Sequence, residues 1–580
     1  MIKIVKTLLK SLKEYKKDAI IGPILVTIET VMEVLIPFLM TFILDKGLMQ
    51  KDMNAVIYYG ALAVLASIAY FVFGAIAGRY TAKAAAGLSK NIRHDMFENI
   101  QDYSFSNIDK FHSSSLITRM STDVTNVQNA FHQCLRILVK GPLMMIFALI
   151  MAFSINPSLA LIYLANVPII GLALYLITHF AHPIFEKVMQ SYDGLNEMVQ
   201  ENVAGIRVVK SYVREDQQIS LFHKLSANIF RLFTKAEKIV ALNGPLMQLA
   251  MYSTILLISW FGAHQIVNSQ LQIGQLSTMI TYAIQILIAL TMLSFGYVLL
   301  LIASKSAVRI VEVLDEKSDL TNQENPLTEV KDGSIKFDNV AFSYINDINK
   351  CALKPTNFTI NSGETVGILG ETGSGKSTLV SLIPRLYDAT SGIVSVGGHN
   401  VKEYDLHSLR AKVAMVLQKN VLFSGTIAQN LRWGNEHATM EQIIEACKIA
   451  QADEFVSKMP DGYDTYIEQG GSNVSGGQKQ RLCIARALLM DPKILIFDDS
   501  TSAVDTKTDT LIRQAFKTKI PDVTKIIIAQ RISSIEDADK IIIMKNGSID
   551  AIGTHETLLD SNEIYSQTYY TQTRGGQDNE

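Results

Sequence analysis

Gly370, Glu371, Thr372, Gly373, Ser374, Gly375, Lys376 and Ser377 read G-x-x-x-x-G-K-S, with Thr378 next, a spacing that suits a cradle for a phosphate chain. The glycines let the backbone approach an anion closely, and successive N–H groups can line the cradle. Lys376 would bring positive charge to the terminal phosphates, and Ser377 offers a hydroxyl to magnesium. Further polar groups stand where strand-like runs end. The apolar run 494–497 stops at Asp498, whose carboxylate can hold magnesium directly or through water. Gln418 follows the apolar run 413–417 and can ligate the same metal and sense an attacking water. Tyr344, 26 residues before Gly370, can stack on adenine. Together these residues predict a site for ATP with Mg²⁺.

The elements that must position them follow from the flanking pattern. Residues 365–369 form a short apolar run suited to a buried strand, and 377–383 can begin a helix, so the loop lies where helix amides face phosphate. The polar stretch 316–330 reads as a linker. Over 331–570, apolar strand-like runs alternate with helical segments, which predicts an α/β domain with a largely parallel sheet. Residues 571–580 read as a polar tail that frays.

Residues 1–315 have a different character, that of an all-α transmembrane domain. No Asp, Glu, Lys or Arg occurs over the 24 residues 55–78, the 45 residues 141–185 or the 66 residues 239–304. A helical crossing of a hydrocarbon core about 30 Å thick needs roughly 20 apolar residues. With Asn156, Pro157 and Ser158 as one turn and a break near Asn268 and Gly274, these stretches supply five spans, and residues 19–44 supply a sixth. The first seventeen residues carry six lysines and no continuous apolar core, so no cleavable leader is expected and the basic start is expected in the cytoplasm. Both ends of the six-span unit then face the cytoplasm, as do the charged connections 79–140 and 181–238, each long enough for helices reaching below the membrane.

Glu29 and Glu33 stand four apart on one helical face within the first span, where a carboxylate is costly unless it meets water, a partner or a ligand. Two readings are open: contact with a cationic or hydrogen-bonding substrate, or a structural role beside a wet cavity. Arg136 and Lys140 read as cytoplasmic charges on a helix. The chain holds 580 residues, 48% of them hydrophobic, and its net charge of -2 argues against nucleic acid as principal partner. Cys134, Cys351, Cys447 and Cys483 lie far apart without C-x-x-C spacing, so neither a zinc site nor a disulfide framework is expected.

Ser475, Gly476, Gly477 and Gln478, within the run VSGGQKQR, resemble the signature motif of ABC-transporter ATPases. With the six spans, the run FSNIDK at 105–110 through Arg119 and Asp123, and GIRVVK at 205–210, the chain resembles a half-transporter of the ABC exporter family, of the multidrug type, over nearly its whole length. The resemblance implies that two halves make twelve spans and clamp two ATPs head to tail, each between one half's phosphate loop and the other's signature motif. Ser475, Gly476 and Gln478 would then act on the partner's ATP. Ser502, Ala503, Val504 and Asp505 are similar to the family's D-loop, with Val504 in place of Leu, and would couple the two sites.

Two positions depart from the family pattern. Asp499 stands where active sites carry Glu, and Gln530 replaces the switch histidine. Asp499 is one methylene shorter, and Gln530 cannot exchange a proton near neutral pH. The expectation is an asymmetric heterodimer in the cell membrane whose partner, a homologous half-transporter, keeps Glu and His. This chain's own site would bind ATP and hydrolyse it slowly. Expected cargo is an amphipathic drug or lipid. The alternatives are a peptide or lipid-precursor exporter, and an ATP-binding regulatory or channel-like subunit.

Overall fold

The computed structural model describes residues 2–345, 347–499 and 504–577. The chain divides into two compact units, Met1–Gln101 with Ser113–Glu316, and Asp102–His112 with Lys317–Glu580. In chain order the first helices are α1 (Ile2–Lys10), α2 (Lys16–Phe42), α3 (Met53–Gln101) and α4 (Phe105–Phe111). Next come α5 (Ser113–Thr118), α6 (Val124–Ile155), α7 (Pro157–Ala204) and α8 (Ile206–Ser211). The series ends with α9 (Glu215–Val240), α10 (Asn243–Val267) and α11 (Ile273–Asp315). Helix α4 belongs to the second unit and the others to the first.

Among the described residues, six helical stretches are long and apolar enough to cross a membrane: Lys13–Leu48, Met53–Gln101, Ser113–Ile155, Pro157–Ala204, Glu215–Val267 and Ile273–Asp315. The predicted turn after the third span is a helix boundary. Asn156 caps α7 by accepting the N–H of Leu159 at 3.1 Å, and Pro157 opens that helix, where its missing N–H costs nothing. Helix α3 runs for 49 residues, about 70 Å at 1.5 Å per residue, so the charged connection after the second span begins as a continuation of that span.

Pro23 and Pro37 lie inside α2, and a proline removes the hydrogen bond to the carbonyl four residues earlier. For Pro37 that carbonyl is Glu33's, and Gln285 Nε2 on α11 approaches it at 3.4 Å. Thr278 donates to the Pro37 carbonyl at 2.8 Å and Tyr282 to that of Val34 at 3.0 Å. In a membrane, where water cannot satisfy a freed backbone group, such side chains let the helix keep its proline. A π-helical turn, Ile43–Leu48, follows. Its Asp45 is buried and accepts the N–H groups of Gly274 (2.6 Å) and Gln275 (3.2 Å) at the start of α11.

Among the described residues the second unit is built on two larger sheets and one two-stranded sheet. Its strands are β1 (Ile335–Phe342), β2 (Leu353–Ile360), β3 (Thr365–Gly370), β4 (Ser391–Val396), β5 (His399–Asn400) and β6 (Val413–Val416). Then come β7 (Gly425–Thr426), β8 (Tyr466–Ile467), β9 (Ile494–Asp498), β10 (Thr524–Ile528), β11 (Lys540–Lys545) and β12 (Ser548–Gly553). The larger sheet has the order β12-β11-β3-β10-β9-β6, parallel except for edge strand β12. Runs such as Ile494, Leu495, Ile496, Phe497 and Ile526, Ile527, Ile528 are buried throughout, because helices or the second sheet cover both faces. The antiparallel sheet has the order β2-β1-β4-β5.

The helices of this unit are α12 (Lys376–Ser381), α13 (Leu406–Lys412), α14 (Ile427–Leu431), α15 (Met440–Ile449) and α16 (Asp453–Val456). They are followed by α17 (Gly476–Leu488), α18 (Thr506–Lys519), α19 (His555–Ser561) and α20 (Glu563–Gln577). Residues 571–577 continue α20 rather than fray, and Gln572 bonds back to the domain; residues 578–580 of the expected tail lie outside the described residues.

Candidate functional site

Strands β3, β10, β9 and β6 are neighbours in the parallel sheet, so their carboxyl ends form one row. Ligands of open α/β sheets lie beyond such ends. The row carries, in spatial order, the phosphate loop after β3, Gln530 after β10, Asp498 and Asp499 at the end of β9, and Gln418 after β6. Residues spread over more than a hundred positions of sequence are thereby brought to one edge.

Glycines set the backbone of the loop. Gly373 and Gly375 have φ of +83° and +94°, left-handed values that strain any side chain, and a Cβ at Gly375 would lie 2.8 Å from the Ala352 carbonyl. Lys376 folds back, its Nζ donating to the carbonyls of Gly370 (2.7 Å) and Glu371 (2.8 Å). Burial pushes its ammonium below the usual lysine range, against the opposing pull of Asp499 and Asp498. Ser374 is buried, and its Oγ has no hydrogen-bond partner among the described residues. An orphaned hydroxyl in such a loop fits a phosphate oxygen.

Ser377 donates to Asp498 Oδ1 at 2.8 Å. Burial raises the Asp498 carboxyl above the usual range; the Ser377 hydrogen bond lowers it, neighbouring Asp499 raises it and Lys376 lowers it. A hydroxyl and a carboxylate in contact, with Gln418 just beyond the end of neighbouring strand β6, offer oxygen donors of the kind magnesium takes.

Asp499 sits at φ +48° and its N–H bonds to the Ile528 carbonyl at 3.1 Å. Its Oδ2 accepts from Gln530 Nε2 at 2.6 Å and faces Gln418 Nε2 at 3.4 Å. The two residues that depart from the family pattern therefore bond to each other. On the other side, Tyr344 is 55% exposed, shares a 3.0 Å hydrogen bond with Thr378, and sets its ring edgewise to Phe342 and Tyr387. An exposed aromatic face so close to the phosphate loop can stack on a base.

Ser475, Gly476, Gly477 and Gln478 are placed apart from this cluster, at the start of α17. Ser475 and Gln478 form a reciprocal capping box, with Ser475 N donating to Gln478 Oε1 (2.9 Å) and Gln478 N donating to Ser475 Oγ (3.3 Å). Among the described residues no hydrogen bond joins them to the phosphate loop. Asp505 caps α18 through the Thr508 N–H at 2.9 Å, and that backbone hydrogen bond holds its carboxyl below the usual range. Ser502 and Ala503 lie outside the described residues.

Glu29 is buried and Glu33 largely so, and both meet Lys140, whose Nζ lies 2.9 Å from Glu29 Oε1 and 2.8 Å from Glu33 Oε2. Lys140, read from sequence as a cytoplasmic charge on a helix, is thus mostly buried and paired with both carboxylates. The reason is energetic: an ammonium at that depth is tolerated only beside carboxylates. Sequence reasoning also missed Gln572, which donates to the Gln530 carbonyl (2.8 Å) and accepts the Ile532 N–H (2.9 Å), bracketing Arg531. No local motif marks it. Tyr387, whose hydroxyl donates to Asp109 at 2.8 Å, was missed for the same reason.

The family profile for the ABC transporter transmembrane region matches residues 19–290, and that for the ABC transporter domain matches residues 353–502. An uncharacterized ABC transporter ATP-binding protein of Bacillus subtilis, YfiB, is 36% identical over 97% of this chain and 98% of its own. This chain belongs to the ABC transporter family. Its membrane region and ATPase domain make it an ATP-driven transporter and an integral membrane protein. It is also 30% identical to an ATP-dependent lipid A-core flippase of Desulfotalea psychrophila, over 92% of this chain and 93% of that one. The fold matches that of a bacterial Atm1-family ABC exporter solved with ATP bound, at a TM-score of 0.82, 23% identity and coverage of 96% of this chain and 99% of that one. The transporter thus has an exporter-type fold, with one membrane domain and one ATP-binding domain in a single chain.

Proposed function

We propose that this transporter chain is the hydrolytically impaired half of an asymmetric pair that exports amphipathic small molecules, drugs or lipids, across the cell membrane. The observation that carries this reading is the Asp499–Gln530 contact of 2.6 Å. A general base works through a carboxylate free to take a proton from water, and here the oxygen that would do so already accepts an amide N–H. A hydrogen bond to an ionised group is worth about 1.5–3 kcal/mol. The shorter side chain adds to this, because a misplacement of about 1 Å can lower a rate on the order of a hundredfold.

On this reading ATP binds along Gly370 to Thr378, with adenine on Tyr344 and Lys376 turned from the loop carbonyls to the terminal phosphates. Ser377, Asp498 and Gln418 would hold Mg²⁺, which neutralises charge on the β- and γ-phosphates when bound. The helix start at Ser475, Gly476, Gly477 and Gln478, exposed at Ser475 and Gly476, would complete the partner half's site, and Asp505 would link the two. The lysine-rich start supports a cytoplasmic ATPase domain and cytoplasmic termini. The lipid A-core flippase among the relatives favours lipid-like cargo.

The test is ATP turnover by this chain alone, by Asp499→Glu with Gln530→His, and by this chain mixed with a homologous half carrying Glu and His. The expected order is slow, faster and fastest. Equal rates for the lone chain and the mixed pair would reject the asymmetry.

A further inference from the structure

The Glu29, Glu33 and Lys140 cluster has the composition of a cation site that the chain's own lysine occupies. Two carboxylates from adjacent turns of α2 converge on one ammonium from α6, at 2.9 and 2.8 Å. Tyr70 of α3 closes another side, with the ammonium 5.3 Å from its ring centroid. Two anions and an aromatic face are what an amine ligand requires. One lysine does not balance two carboxylates. Glu29 is 2% exposed, and its Oε2 has no hydrogen-bond partner among the described residues. That carboxylate faces Gly74, where a Cβ would stand only 3.3 Å from the carboxyl carbon, so the neighbouring helix keeps space for it by lacking a side chain. Glu33 is the more exposed carboxylate of the cluster, its side chain retaining 25% of its exposure.

We propose that this cluster is the cargo-selecting site of the transporter, that it recognises an ammonium group on an amphipathic molecule, and that Lys140 is the internal cation such a group replaces at Glu29. The inference rests on the reading of the chain as an exporter of amphipaths and narrows its cargo to amines. A second ammonium completes the charge balance of the cluster: the ligand takes Glu29, and the Lys140 ammonium, on its long flexible stem, stays beside Glu33. A purely structural ion cluster would instead be closed on all sides and balanced in charge.

The experiment uses the full chain in phosphatidylglycerol nanodiscs and a fluorescent long-chain primary amine, compared with its N-acetylated neutral counterpart. The amine is expected to bind at least tenfold more tightly. Lys140→Gln should tighten amine binding about tenfold by vacating the site, whereas Glu29→Gln should weaken it at least tenfold and leave the acetylated probe unchanged. Equal binding of the two probes by the wild-type chain would overturn the inference whether or not any variant folds, as would a Lys140→Gln protein that folds and binds the amine no better. If amine and amide bind equally well, the amphipath reading survives and this inference fails; if neither binds, both fail. Adding phosphatidylethanolamine to the discs separates two sources of the same chemistry. Competition assigns the ammonium to a lipid headgroup, and lack of competition assigns it to a free amphiphile.

Discussion

On the proposed reading, extending Asp499 and freeing it from Gln530 should raise hydrolysis at the transporter's own ATP site. In the double variant Asp499→Glu with Gln530→His, the carboxylate gains a methylene and loses the 2.6 Å amide bond that now occupies Oδ2. Release of a charged hydrogen bond worth about 1.5–3 kcal/mol corresponds to roughly ten- to hundredfold in rate at about 1.4 kcal/mol per decade. Correct placement adds a factor on the order of a hundred at most. Because the two side chains touch, their effects should not add, and a double-mutant cycle should return a coupling of at least about 0.5 kcal/mol. The assay is single-turnover hydrolysis of bound ATP by purified chain, which isolates chemistry from product release. Asp499→Asn supplies the control: an impaired base should lose about threefold or less, whereas an active general base is typically worth 10² to 10⁴. A loss of a hundredfold or more in Asp499→Asn, or no gain in the double variant, would refute the argument that the Asp499–Gln530 contact silences this site.

Tyr344→Ala should weaken ATP binding about tenfold, since base–aromatic stacking is worth about 1–3 kcal/mol, while Tyr344→Phe keeps the ring and should change the Kd by less than about threefold in equilibrium binding. Gln572→Ala removes both bonds that bracket Arg531 and should lower kcat several-fold with the KM for ATP nearly unchanged, as about 1 kcal/mol per lost hydrogen bond implies; an equal rise in KM would mean that it acts on binding instead. Burial raises the Asp498 carboxyl, so the folded domain holds that proton more firmly than the unfolded chain, and stability falls as pH rises from the ordinary carboxylate range through the raised value. Asp498→Asn should therefore raise the melting temperature of the nucleotide-free protein at neutral pH, by about 2–4 °C for each ~1 kcal/mol relieved, and should remove the stabilisation by ATP and Mg²⁺; an unchanged or lower melting temperature would contradict the burial argument.

Much of the candidate site could be read directly because its chemistry is local. The spacing of Gly370, Gly375, Lys376 and Ser377 encodes a loop geometry by itself, and the strand ending at Asp498 announces its acid through a run of buried apolar residues. Membrane spans are legible for a similar reason, since each must satisfy the bilayer along its own length. The contact between Asp499 and Gln530 was only half legible: both departures from the family pattern stand out, but their contact across 31 residues arises from the adjacency of β9 and β10.

Composition and spacing alone therefore determined that this chain crosses a membrane six times and carries a phosphate-binding loop followed by a signature-like helix start, because those properties reside in short contiguous segments. Only the tertiary structure decided which charges meet. Lys140 finds Glu29 across 111 positions, and Gln572 reaches back 42 positions to Gln530, contacts that leave no periodicity or motif behind. Pairing between distant segments is set by how helices and strands pack, and a low-dielectric interior then makes each such pair consequential.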